Sequence, residues 1–396
     1  MFSPQLLYQL TFEGLWPSSV CFLDSWQRVV AGNQEGKLYV WELPETPPEA
    51  PPPQREGDKS QRAANVWPRR QLVGHENCVS KLLYDSQRKR VISASFDYSL
   101  CIWDVEAPSQ KTADAVLDGE ARRSEFKRTK KQDVLDAPGV PVEVIGPARK
   151  LAGHPDWVGA LAASADFSRL ISGDHSANVI VWDVERGEPL AKWRGHAWNW
   201  IVAAALTPDG QAAVVSEFRY KRDDFDIPTA GFKVWNAGDG TEKLDILQVH
   251  FPKIKVDDTS YGGAQGWKKF TGDGLVALAI SPDGKLIAAG QGGEIEKGIV
   301  HMLELETGKL VRDVSGHQYG VTDVCFSKDG TLLFTAGRDT CVRIMQVDDG
   351  KELAVLGSPR GGQFKDWISA IALSPDEQYL AAADISGHVA VWKLKA

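Results

Sequence analysis

Thiols and imidazoles are scarce in this sequence: 396 residues carry five cysteines and eight histidines. The cysteines (Cys21, Cys78, Cys101, Cys325, Cys341) are odd in number and form no CxxC pair. Most fall inside apolar stretches, so they read as small buried thiols in a reducing compartment, and a cytoplasmic location is expected. No apolar run approaches the roughly 18 residues of a membrane span, so no membrane association is expected. The opening MFSPQLLYQLTF lacks a basic region, a long apolar stretch and a small-residue cleavage site, which argues against a secretory signal. Basic charge is in deficit, with 45 Lys and Arg against 53 Asp and Glu and a formal net charge of −8; this disfavours broad nucleic-acid binding. Asp223, Asp224 and Asp226, like Asp257 and Asp258, lack the ligand spacing and glycine turn that calcium needs. The glycines of Tyr261-Gly262-Gly263 and Gly290 to Gly293 do not join a strand to a helix, so they make a weak phosphate cradle. No metal, cofactor or catalytic residue is assigned. Hydrophobic and charged contents of 43% and 25% are ordinary for a soluble globular chain.

What the sequence does contain is repetition. From Leu72 to Val105 it reads LVGHENCVSKLLYDSQRKRVISASFDYSLCIWDV. A Gly-His pair opens the stretch, three short β-type runs follow with tight turns between them, and Trp103-Asp104 closes it. Such a small antiparallel sheet cannot bury both faces alone and requires copies of itself. A second copy runs from Leu151 to Val184. A third opens at Gly195-His196, passes Leu206 to Gly210 and closes on Trp235. Another opens at Gly316-His317 and ends at Met345. Three more lack the Gly-His opening and close on Trp41, Leu303 and Trp392. In chain order these make seven units, here called blades one to seven.

The pattern resembles the WD40 repeat family over nearly the whole chain, with Gly-His and Trp-Asp marks and a period of about 40–45 residues. The resemblance implies one all-β domain over residues 1–396: a seven-bladed β-propeller of four-stranded antiparallel blades. The last blade has only three strands of its own, ending at Leu394. Gln5 to Phe12 is therefore expected to supply its fourth and close the ring, which removes an exposed sheet edge. Three insertions interrupt the period: a proline-rich loop at 44–65, a charged loop at 106–147, and a loop at 249–274 before blade five. The first two fall between third and fourth strands and belong on the face opposite the Gly-His turns. The long turns Glu217 to Ala230 and Gly290 to Lys297, with 249–274, belong on the Gly-His face.

In this family a hydrogen-bonded set links a His, a Ser or Thr, an Asp and the closing Trp. The resemblance assigns His75, Ser93, Asp97 and Trp103 to it in blade two, and His317, Thr335 and Asp339 in blade six, where Met345 replaces Trp. Such a set satisfies its own buried polar groups. It repeats with the fold, unlike the single nucleophile of a hydrolase triad. Blade three keeps His154, Ser172 and Trp182 but has Ser176 at the Asp position, with Asp174 two residues earlier.

Of the 14 tryptophans, five close a blade. Trp16, Trp157, Trp198, Trp200 and Trp367, with Tyr319 in kind, instead stand just before a first strand. The resemblance places that position on the Gly-His face around the channel mouth, where exposed aromatics make a strong binding surface; the same positions also fit rings packed between neighbouring blades. The expected function is a non-catalytic scaffold that binds protein partners over this face, as a monomeric ring or a subunit of a larger complex. An enzyme or small-ligand site in a polar pocket at the channel mouth near blades four and five is the alternative. The basic run 121–131 is read as a solvated loop rather than a nucleic-acid site.

Overall fold

The computed structural model describes residues 3–12, 16–48, 64–109, 111–115, 126–134, 136, 139–197, 199–219, 229–253, 267–294, 296–359, 364 and 366–394. Almost all regular structure is β, in seven sheets, and the fold class is the seven-bladed β-propeller with four-stranded antiparallel blades. The chain divides into two compact units, one of residues 1–93, 101–150 and 361–396, the other of residues 94–100 and 151–360.

The first unit carries two extended sheets. Blade one consists of Pro17–Phe22, Arg28–Asn33, Leu38–Glu42 and Arg70–Leu72. Two strands from the 106–147 insertion prolong it. Val140–Ile145 pairs in parallel with Arg70–Leu72, and Lys111–Ala115 pairs antiparallel with Val140–Ile145. The insertion is therefore partly a hairpin, held by Arg28 to Glu106 at 2.7 Å and Arg70 to Glu143 at 3.0 Å. Blade seven consists of Ile368–Leu373, Tyr379–Asp384 and His388–Lys393, and Gln5–Thr11 pairs antiparallel with the last of these, from Gln5↔Lys393 to Thr11↔His388. A short strand, Ala64–Val66, returns from the proline-rich insertion and pairs in parallel with Gln5–Thr11. Blade two is Val79–Asp85, Arg90–Ser95 and Ser99–Asp104, with Arg149–Ala152 outermost.

The second unit holds four sheets of four strands each. Their first strands are Val158–Ala163, Trp200–Leu206, Leu275–Ile280 and Val321–Phe326. Each begins with a bulge at the same register, as at Val158/Ala160 and Ile201/Ala203, which twists the strand where it starts.

Blade-to-blade packing needs a small residue near the end of each second strand. A Cβ on Gly173 would lie 2.3 Å from Ile201 Cγ2 of the next blade, and one on Gly290 would lie 2.7 Å from Val321 Cγ1. The matching positions elsewhere are Gly32, Ala94, Ser216, Ala336 and Ala383, all small. At the opposite end, Ser-x-Asp or Thr-x-Asp turns join strands one and two. Ser164, Thr207, Ser281, Ser327 and Ser374 each donate to the Asp two residues on, at 2.5–2.7 Å.

Candidate interaction site

In blades two and three the closing tryptophan and the Gly-His histidine meet on one serine oxygen. In blade three, Ser172 Oγ accepts from Trp182 Nε1 at 2.7 Å and meets His154 Nε2 at 2.7 Å; His154 Nδ1 meets Asp174 Oδ2 at 2.9 Å. Asp174, at the end of the second strand, thus takes the acidic role, and Asn178 bonds it in turn. Ser176 donates instead to Asp156, at 2.7 Å. Blade six repeats the arrangement, with His317 between Asp339 at 2.8 Å and Thr335 at 2.8 Å. In blade two, Ser93 joins His75 at 2.7 Å and Trp103 at 2.8 Å, while Asp97 accepts from the Ser99 N–H and hydroxyl.

Elsewhere the repeat departs from its pattern. Ala31, Val215 and Ala382 stand in the register of Ser172. Trp41, Trp235 and Trp392 accordingly keep buried indole N–H groups with no acceptor among the described residues. In blade four His196 is exposed, and Glu217, buried in the register of Asp174, accepts from the His196 backbone N–H at 2.7 Å and from Asn199 at 3.3 Å. Burial pushes the Glu217 carboxyl above its ordinary value. In blade five Gln291 fills the same register and donates to the Phe270 carbonyl at 2.7 Å. Buried polar ends to second strands were not foreseen here; the apolar alternation of those strands masks them.

The pre-strand aromatics sit at the Gly-His end. In blades one, three and seven the carbonyl of Trp16, Trp157 or Trp367 accepts from the turn between strands two and three, through the N–H of Gln34, His175 or Ile385 at 3.0–3.2 Å. Each pre-strand residue is thereby tied to the rim of its own blade. Trp16 is 43% exposed, Trp157 42% and Trp367 36%, while Trp200 and Tyr319 are half-buried. Trp198 lies outside the described residues.

In the second unit the structure joins Trp157 and Trp200 through residues the sequence reading did not single out. Phe96 stacks on Trp157 with centroids 5.0 Å apart and planes within 4°. His175 stacks on Trp200 at 4.8 Å and 11°. Trp157 and His175 meet at 5.7 Å, tilted. The result is a continuous run of four rings, Phe96, Trp157, His175 and Trp200. Phe96 and His175 each sit one residue beyond the end of a second strand, and that shared register is the signal that could have located them.

Among the described residues no three His, Cys, Asp or Glu stand together as a metal site, and no helix is long and apolar enough to cross a membrane. From the 121–131 run, Phe126 to Thr129 form a helical turn, and 121–125 lie outside the described residues. A hollow of about 710 Å³ opens between blades four and five. It is lined by Leu244, Leu286, Leu305 and Val311 with Lys243 and Glu306, beside the Gly284 turn and so at the opposite end from the Gly-His turns. A smaller hollow of about 270 Å³ beside Glu217, Lys233 and Trp235 lies at the Gly-His end of blade four.

The family model described as WD domain, G-beta repeat matches residues 67–104, 146–183, 308–345 and 352–393. The chain is 25% identical over 261 residues to Autophagy-related protein 16 of Arabidopsis thaliana, across 62% of this chain and 49% of that protein. It is 26% identical over 267 residues to Transducin-like enhancer protein 2 of Mus musculus, across 65% of this chain and 29% of that protein. It therefore spans half or less of the length of these relatives. The chain thus carries WD40 repeats at four positions within a β-propeller of seven sheets of one plan.

Proposed function

We propose that this WD40 protein is a non-catalytic platform that binds a protein partner at the Gly-His end of its blades. The observation that carries this reading is the ring run of Phe96, Trp157, His175 and Trp200, in which Trp157 remains 42% exposed although two neighbouring rings brace it. Braced aromatics offer contact area at little cost in side-chain entropy and dominate interface energetics. Trp16 and Trp367 present further exposed rings at the same position of their own blades, and half-buried Tyr319 stands at that position in blade six. The clamp residues His75, Ser93, Asp97, Trp103, His317, Thr335 and Asp339 serve the fold in this reading, because buried sets of the same kind recur from blade to blade.

The enzyme alternative has a weaker footing. The smaller hollow at the Gly-His end of blade four is lined by His196 and Glu217 with Arg194 and Lys233, but Glu217 is committed to the His196 N–H and to Asn199. The large hollow, at the opposite end, has no Ser, Cys or His in its lining. The deciding experiment is affinity capture with the intact chain against Trp157→Ala, Trp200→Ala and the double variant. Partners lost from the variants while thermal stability is kept support the platform. Variants that capture the same partners as well as the parent overturn it.

A further inference from the structure

We propose that the Phe96–Trp157–His175–Trp200 run, with Asp156 beside it, is a subsite for one arginine side chain of the protein partner, open only while His175 is uncharged. The inference rests on the platform reading and adds the chemistry of what the rings hold.

Three observations point to a planar cation. First, the run consists of two nearly parallel ring pairs, at 4° and 11°, meeting at two tilted contacts, Phe96 to His175 at 5.3 Å and Trp157 to His175 at 5.7 Å. Ring faces attract cations through their quadrupoles, and a guanidinium, being flat, also stacks. Second, the charges that act on His175 are both carboxylates, Asp156 and Asp174. Asp174 is buried and committed to His154 and Asn178. Asp156 is half-buried and accepts one bond at each oxygen, from Trp157 N–H and from Ser176 Oγ. A carboxylate has about four lone-pair sites, so Asp156 retains capacity for a guanidinium. Third, His175 has a built seat. A Cβ on Gly159 would come within 2.9 Å of His175 Nε2, so the imidazole lies against bare backbone on one side and Trp200 on another.

Burial holds the His175 imidazole below its ordinary value, partly offset by Asp156 and Asp174. The other titratable group bonded into this cluster is His154, through Asp174. Protonation of His175 would place a positive charge inside the run, against the Trp200 face on which the imidazole already stacks, and repel an arriving cation. Binding should therefore weaken as pH falls.

The test follows the indole N–H signals of Trp157 and Trp200, assigned with W157F and W200F, during titration with N-acetyl-arginine amide. Controls are N-acetyl-citrulline amide, which keeps the shape without the charge, and N-acetyl-glutamate amide. At about pH 7.5 the arginine probe should shift both signals saturably, and the citrulline probe should bind severalfold more weakly. At about pH 5 the arginine affinity should fall severalfold. D156N should weaken binding without changing the melt. H175Q should bind at the higher pH and lose the pH dependence. Equal binding of citrulline and arginine, no shift with arginine, or pH-independent binding by the parent would each overturn the proposal. If the arginine probe fails while W157A and W200A still lose partners in capture, the subsite falls and the platform stands. If capture is unaffected too, both fall.

Discussion

Replacing Ser172 by alanine removes one oxygen that two buried groups share. Ser172 Oγ is the acceptor for Trp182 Nε1 and the partner of His154 Nε2, both at 2.7 Å, in a residue with no exposed surface. A buried polar group left without a partner costs about 1–3 kcal/mol, so two such groups set an upper limit of about 6 kcal/mol. The expected loss is smaller, about 2–3 kcal/mol. His154 keeps Asp174 through its other nitrogen, and Trp41, Trp235 and Trp392 show that the fold tolerates an indole N–H without an acceptor. The reverse substitution provides the control. Ala382→Ser restores an oxygen in the register of Ser172, where Trp392 lacks an acceptor, and should stabilise by about 0.5–1.5 kcal/mol. Urea unfolding of the full chain reads both changes as shifts in midpoint at constant slope. A Ser172→Ala variant within about 0.5 kcal/mol of the parent, or an Ala382→Ser variant no more stable than the parent, would refute the claim that this shared oxygen carries the clamp.

Gly173→Ala places a Cβ 2.3 Å from Ile201 Cγ2 and should cost about 1–3 kcal/mol by overpacking in the same urea assay; adding Ile201→Val should recover part of the loss, and no recovery would remove the steric explanation. Hydroxyl and backbone N–H donors hold the turn carboxylates of Asp209, Asp283 and Asp329 below their ordinary value, and the Ser168 N–H with two serine hydroxyls brings Asp166 down to about 2. Because these folded values lie below the unfolded one, their stabilisation is complete above about pH 4 and is lost as pH falls toward about 2. Melting curves across that window should decline, and substituting Asn at the four positions should flatten the decline. Deleting residues 1–12 removes the strand that pairs with His388–Lys393 and bares that edge; light scattering should show aggregation, and a monodisperse truncation would contradict the edge argument.

The repeat was legible because it is local. Gly-His turns, apolar alternation, Ser-x-Asp turns and closing tryptophans lie within about forty residues of one another, so spacing reports the blades, while the Ser172-type oxygens were implied by the family resemblance. The Gln5–Thr11 strand was legible for a different reason: blade seven shows three strands of its own, and a short β-type stretch stood apart before blade one to pair with the third. The candidate site was legible only in part. Trp157 and Trp200 stood out as pre-strand aromatics, but their partners Phe96 and His175 come from different copies, and nothing in a single copy says that they touch. Glu217 in the register of Asp174, and His196 turned outward, were hidden because the Gly-His mark of blade four looks intact in sequence. The strands at Lys111–Ala115 and Val140–Ile145 lie in a stretch that reads as charged loop; Lys111–Ala115 is ordered by pairing with the β-branched Val140–Ile145, which pairs in turn with the distant Arg70–Leu72. By itself, then, the sequence determined the unit and its copy number, because those rest on short-range periodicity. Tertiary structure alone decided which rings stack, which acid each histidine meets and which insertion becomes strand, because each depends on atoms brought together from distant parts of the chain.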